Sequence, residues 1–230
     1  MVEVSEIGKM GSHNKRKSPL DKLKEKYPRA CFDGVLFFEI CADACISIKQ
    51  KRQELQKLEG AKSKNGRLRR RSVEELGLLD EISKNECVAI TFAAMCLESC
   101  IWDYAASSTS QNYTEDYLEK LDFVAKWVVI PKLMCGSDIT KARINGTCLL
   151  DRLRKLKKAR NALVHSKSKP RPNNLTEIVK AMNRKRDISV EDAFHLIGLL
   201  LRELEKVDKT KWWLFKTPPY RHSMGKIRAG

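Results

Sequence analysis

The sequence predicts an all-α protein, an up-and-down bundle of about five helices, and three observations carry that expectation. Apolar residues recur at three- and four-residue steps through most of the chain. No segment alternates apolar and polar residues over the length of a strand, so no sheet is expected. Helix-start signatures stand ahead of periodic segments: Ser72 with Glu75 forms a capping box, and Ser189 is a good N-cap.

The elements follow in order. Residues 1–27 are polar and basic and are expected to be disordered. A helix is expected from about Arg29 to Leu58, with Val35, Phe38, Ala42, Cys45 and Ile46 at apolar positions. Lys62 to Arg71 reads as a basic loop. Ser72 opens a second helical region to about Ala106, with a break or bend expected near Leu79–Ser83. Between Cys87 and Tyr104 this region is apolar nearly all round, as a central helix packed on several sides would be. Ser107–Asn112 reads as a polar turn, and Thr114 as the start of a third helix carrying Tyr117, Leu121, Val124, Val128 and Leu133. A linker to about Lys141 precedes a fourth helix near Gly146–His165, closed by the prolines of Lys167–Asn174. The fifth runs from Ser189 to about Val207, with Ala193, Leu196, Ile197, Leu200 and Leu204 facing the core. The bundle therefore spans 28–208, and residues 209–230 form a basic, aromatic tail with Trp212, Trp213, Phe215 and Tyr220. Such a tail either stacks on bases or folds back over the bundle.

The chain carries 45 basic and 29 acidic residues, formally +16. Lys49–Arg71 holds ten basic and two acidic residues, and Arg152–Arg171 nine basic and no acidic ones. Runs of this kind serve as solvated faces or bind an acidic partner; two in one chain favour nucleic acid. A membrane is not expected. The first 26 residues lack an apolar core segment, and Glu98 and Asp103 interrupt the longest apolar stretch, Val88–Ala106. None of the eight cysteines forms a CxxC pair. Free thiols in a reducing cytoplasm are the expected state, with no metal site and no cofactor.

The chemistry concentrates in Arg160-Asn161-Ala162-Leu163-Val164-His165. On the helical wheel, Arg160 falls in the core-facing stripe with Leu149, Leu153, Leu156 and Leu163. Arg154, Lys158, Asn161 and His165 form a separate polar stripe. A guanidinium turned toward apolar packing requires an acidic or phosphate partner. Glu98 is the expected partner, because it interrupts an apolar run and faces the same difficulty. Two readings stand: a buried Arg160–Glu98 pair that joins two helices, or the same pair orienting Arg160 toward a phosphate. His165 either sits at a helix C-terminus for the dipole or moves protons near neutral pH. Five residues apart, Arg160 and His165 diverge by about 140° on one helix. They converge on a substrate only if the last turn is distorted or a second chain completes the site.

Arg160, Asn161 and His165 resemble the Arg-polar-x3-to-5-His motif of the HEPN superfamily, all-α domains that include many ribonucleases. The stretch Phe123–Leu133, with Lys126-Trp127 and Pro131-Lys132, is similar to a Lys-Trp…Pro-Lys segment of some bacterial members. The resemblance implies a metal-independent endoribonuclease in which 2′-hydroxyl attack yields a 2′,3′-cyclic phosphate. It further implies a homodimer with a composite site, in a toxin or phage-defence setting where an inhibitor or antitoxin protein restrains the enzyme. On that reading His165 is the acid or base, Arg160 stabilises the phosphorane, Asn161 positions the phosphate or the imidazole, and Glu98 supports Arg160. Arg154, Lys157, Lys158 and Lys167 would hold flanking phosphates. The alternatives are a non-catalytic RNA- or nucleotide-binding or regulatory module of the same family, and a structural helical protein whose charge serves solubility.

Overall fold

The computed structural model describes residues 33–60, 72–144, 146–164 and 187–210. Six helices appear among them: α1 (Asp33–Gly60), α2 (Val73–Ser108), α3 (Gln111–Tyr113), α4 (Phe123–Cys135), α5 (Leu149–Val164) and α6 (Val190–Val207). Helix accounts for 85% of the described residues, so the protein is an all-α helical bundle. The expected basic N-terminal segment, the Lys62–Arg71 loop, the Lys167–Asn174 stretch and all but the first two residues of the aromatic tail lie outside the described residues.

Helix α2 is the central element and packs against α1, α4, α5 and α6. Its start is the expected capping box: the Glu75 amide donates to Ser72 Oγ at 3.2 Å, and the Ser72 amide donates to Glu75 Oε2 at 2.6 Å. The expected break near Leu79–Ser83 is absent, and the helix runs unbroken for 36 residues. Gly77 and Ser83 weaken local helix propensity by no more than about 1 kcal/mol each, less than packing along a neighbouring helix supplies. Ile90, Ala93, Cys96, Leu97, Ile101 and Tyr104 are all fully or almost fully buried. By length and composition α2 is also apolar enough to cross a membrane, with half of its most apolar window buried.

Helix α1 contributes Phe38, Cys41, Ala42 and Ile48 to the core. Ile46, expected inside, is 38% exposed; Cys45 is half-buried. Arg52 ties three helices together, bonding Glu86 of α2 at 3.0 Å and Glu191 of α6 at 2.6 Å. Helix α6 is capped by Ser189, whose Oγ accepts from the Asp192 amide, and all five of its expected core residues are buried. Its end is fastened to α2, where buried Tyr104 donates to Asp208 Oδ2 at 2.9 Å. Asp208 Oδ1 accepts from the Thr210 amide and hydroxyl.

The third expected helix is two pieces. Ser110 caps the short α3, which continues as a π-helical turn over Thr114–Leu118. The chain then restarts at Asp122, whose Oδ1 caps α4 through the Val124 amide. Tyr117 and Leu133, two of the apolar residues that the third helix was expected to carry, are 64% and 54% exposed. Trp127 and Ile130 are the buried anchors instead. Gly136, with φ of 70°, ends α4 in the left-handed conformation that suits glycine. Between α4 and α5 lies a feature the sequence did not predict, a short antiparallel hairpin pairing Arg143–Ile144 with Thr147–Cys148. At two residues per strand it is too short to show an alternating pattern, and its turn uses Gly146 at φ 76°.

Charge is distributed unevenly between this bundle and the rest of the chain. The described residues hold 19 basic and 24 acidic side chains, a net −5. The remaining 26 basic and five acidic side chains belong to the other segments. Helix α5 departs from the acidic bundle with six basic residues against one acidic.

Candidate functional site

Helix α5 is held on the bundle by Leu149, Leu150, Leu153 and Leu156, each at most 4% exposed. These leucines place Arg160 at the edge of the buried stripe, as its wheel position predicts. Its side chain is 32% exposed, and its Nε atom is buried with no hydrogen-bond partner among the described residues. Its acidic partner among the described residues is Glu98 of α2, whose Oε2 lies 3.9 Å from Arg160 Nη2. Arg160 Nη1 also donates to Asn161 Oδ1, at 3.4 Å. The ion pair is too long for a hydrogen bond and the Asn161 bond is long, so the guanidinium is positioned by packing more than by its polar partners.

Sequence reasoning missed the second claimant on Glu98. Lys126 of α4 donates to Glu98 Oε1 at 3.3 Å, and its side chain is only 5% exposed. A buried ammonium of this kind requires a carboxylate, and one carboxylate therefore faces two cations from two helices. The signal was available: Lys126 sits in the apolar run Phe123–Ile130, just as Glu98 interrupts the apolar run of α2.

Arg160, Lys126 and Glu98 line an open groove of about 510 Å³. Phe37, Met95 and Trp102 form its apolar wall, and Asp33, Glu115 and Glu119 bring its carboxylates to four. Among the described lining residues four acids face two cations, so an entering phosphate meets repulsion from them as well as the attraction of Arg160.

The other predicted site residues lie elsewhere. Arg154, Lys157, Lys158 and Asn161 line a second groove, of about 730 Å³, between α5 and α4. Val124, Ala125, Val128 and Val129 of α4 form its floor, with Asp122 at one end. All three cations have carboxylate partners. Arg154 bonds Asp151 at 2.5 Å, Lys158 bonds Asp187 at 2.6 Å, and Lys157 bonds Asp122. The Lys157 bond, reinforced by the Val124 amide, holds the Asp122 carboxyl below its ordinary range. Lys158 likewise holds Asp187 low. Exposed pairs of this type contribute about 0–1 kcal/mol and exchange readily for a competing anion.

The structure thus brings Arg160 to Glu98 and to Asn161, and groups Asn161 with the three cations. Arg160 itself faces the opposite groove, so the ridge of α5 divides the predicted site. His165 and Lys167 lie outside the described residues. Among the described residues, Cys41, Cys45, Cys135 and Cys148 are free thiols, Cys41 and Cys96 are fully buried, and no cluster of three or more His, Cys, Asp or Glu suited to a metal occurs. Comparison with known proteins finds no matching family model, no similar curated protein and no similar solved structure.

Proposed function

We propose that the protein is a metal-independent endoribonuclease of HEPN type, with Arg160 and His165 as its reacting pair. The observation that carries this reading is the state of Arg160: half-buried at a groove wall and held by Glu98 only at 3.9 Å. Such a guanidinium has spare donors for a phosphorane oxygen. In the reaction His165 takes the 2′-hydroxyl proton and the 2′-oxygen attacks the adjacent phosphorus. The P–O5′ bond breaks as the protonated imidazole returns its proton to the 5′-oxygen, leaving a 2′,3′-cyclic phosphate and a 5′-hydroxyl. Asn161 orients the phosphate or the imidazole, Glu98 supports Arg160, and Arg154, Lys157, Lys158 and Lys167 bind flanking phosphates.

The 140° divergence of Arg160 and His165 favours a homodimer in which each chain supplies part of one site. A cytoplasmic toxin or defence role, restrained by an inhibitor or antitoxin protein, belongs to the same reading. The test is incubation of RNA with the purified protein in EDTA. Wild type is expected to cut and His165→Ala to bind RNA without cutting.

The acidic lining of the Arg160 groove favours a second reading, a non-catalytic RNA- or nucleotide-binding or regulatory module. There the Arg160–Glu98 contact joins helices and only the α5–α4 groove meets the polyanion. Retained, salt-dependent RNA binding with no cleavage by wild type would select it.

A further inference from the structure

The groove between α4 and α5 has a floor that phosphate binding does not use. Val128 and Val129 lie on it, and Val129 is 41% exposed. Leu133, one helical turn further along α4, is 54% exposed, so an apolar stripe continues beyond the groove. Arg154 and Lys158, one turn apart on α5, form the facing basic wall. None of the described lining residues is aromatic, so the floor presents no surface on which bases stack. An apolar strip beside a row of cations instead matches a helix with leucine-like side chains on one face and carboxylates beside them.

We infer that this groove is the docking site for an acidic amphipathic helix from a partner protein. The charge of the chain itself argues against its own segments as the occupant. Residues 1–32 carry eight basic and four acidic side chains, and 165–186 seven and one. Residues 61–71 and 211–230 carry six and five basic side chains and no acidic ones. A second copy brings the same +16 and the same basic α5. An acidic helix gains on both sides, burying the valines and exchanging with the exposed Asp151 and Asp187 for Arg154 and Lys158. The inference does not depend on RNA cleavage. Where the groove also holds RNA, an occupied groove excludes it.

The test uses the full chain and a synthetic helical peptide of about 16 residues, long enough to span α4. Its leucines occupy one face and its glutamates flank them. A second peptide of the same composition has its leucines scattered round the helix. Fluorescence anisotropy is expected to show the ordered peptide bound at least about tenfold more tightly than the scattered one. That preference should vanish in Val129→Glu, and Lys158→Glu should weaken both peptides. Both positions are exposed, and thermal melts check that the variants remain folded. Equal binding of the two peptides, or a preference that survives Val129→Glu, overturns the proposal. So does a homodimer that dissociates on Val129→Glu, which assigns the groove to a second copy. RNA affinity that falls on Val129→Gln, a change that adds no charge beside the basic wall, assigns the apolar floor to nucleic acid and overturns the proposal as well.

Discussion

Arg160 Nη2 stands 3.9 Å from Glu98 Oε2, a separation at which the pair attracts without locking. The other Glu98 oxygen is committed to Lys126 at 3.3 Å. A carboxylate shared in this way leaves one positive charge incompletely neutralised at the groove wall, and Arg160, being the more exposed of the two cations, carries it.

The sharing predicts an asymmetry in stability. Glu98→Ala strands an ammonium that is 95% buried and should cost about 3 kcal/mol, the low end for breaking a buried pair because Glu98 is itself partly exposed. Lys126→Met removes the buried charge, keeps the volume and leaves Glu98 to Arg160, so it should cost less than about 1 kcal/mol. Urea denaturation midpoints with unchanged m-values read the difference. Equal costs would show that Lys126 is not the dependent partner.

Tyr104 predicts the behaviour of the fold at alkaline pH. Burial first, then its bond to Asp208, pushes the phenol well above its ordinary value of 10.0. In the unfolded chain the phenol ionises near pH 10 while the folded one stays protonated. The folded state thus holds more protons there, and stability falls as pH rises above about 10. The contribution is fully present below that pH. Tyr104→Phe should cost about 1–2 kcal/mol at neutral pH through the lost bond and flatten the alkaline decline in a series of urea melts.

Asp122 predicts the opposite slope in acid. Lys157 and the α4 amide of Val124 hold its carboxyl below the ordinary 3.8. Its contribution is present above pH 3.8 and is lost as pH falls through the lower folded value. Asp122→Ala should remove that acid-side dependence and cost about 1 kcal/mol at pH 7 for the lost helix cap. Asn at the same position should keep most of the cap and lose the pH dependence.

The basic wall predicts a salt dependence. If Arg154, Lys157 and Lys158 contact RNA phosphates, replacing all three by Gln should lower the slope of log K against log salt by about 2. Filter binding at several salt concentrations measures it. An unchanged slope would place the phosphate contacts elsewhere.

What could be read in the sequence was what local pattern decides. The caps at Ser72 and Ser189 and the core face of α6 were legible because each depends on residues within a few positions. Glu98 was legible as the partner of Arg160 because a charge in an apolar run has few ways to be satisfied. The unbroken α2 was not legible, since packing on α1 overrides the weak helix formers near Leu79–Ser83. The restart at Asp122 and the outward turn of Tyr117 and Leu133 depend on how α4 lies against its neighbours. The split of the site by α5 was equally hidden. The wheel separates Arg160 from Asn161 by angle, but only α2 and α4 decide that each faces its own groove and that one of them is acidic.

On the proposed function, Arg160 of α5 in one chain works opposite His165 of a second chain. Mixing tests it most directly. Arg160→Ala and His165→Ala are each expected to lose RNA cleavage in EDTA while remaining folded. Unfolded together and refolded as a mixture, they should regain cleavage, because a mixed dimer holds one intact arginine opposite one intact histidine. Single variants that cut as well as wild type, or inactive variants whose mixture stays inactive, would contradict the account.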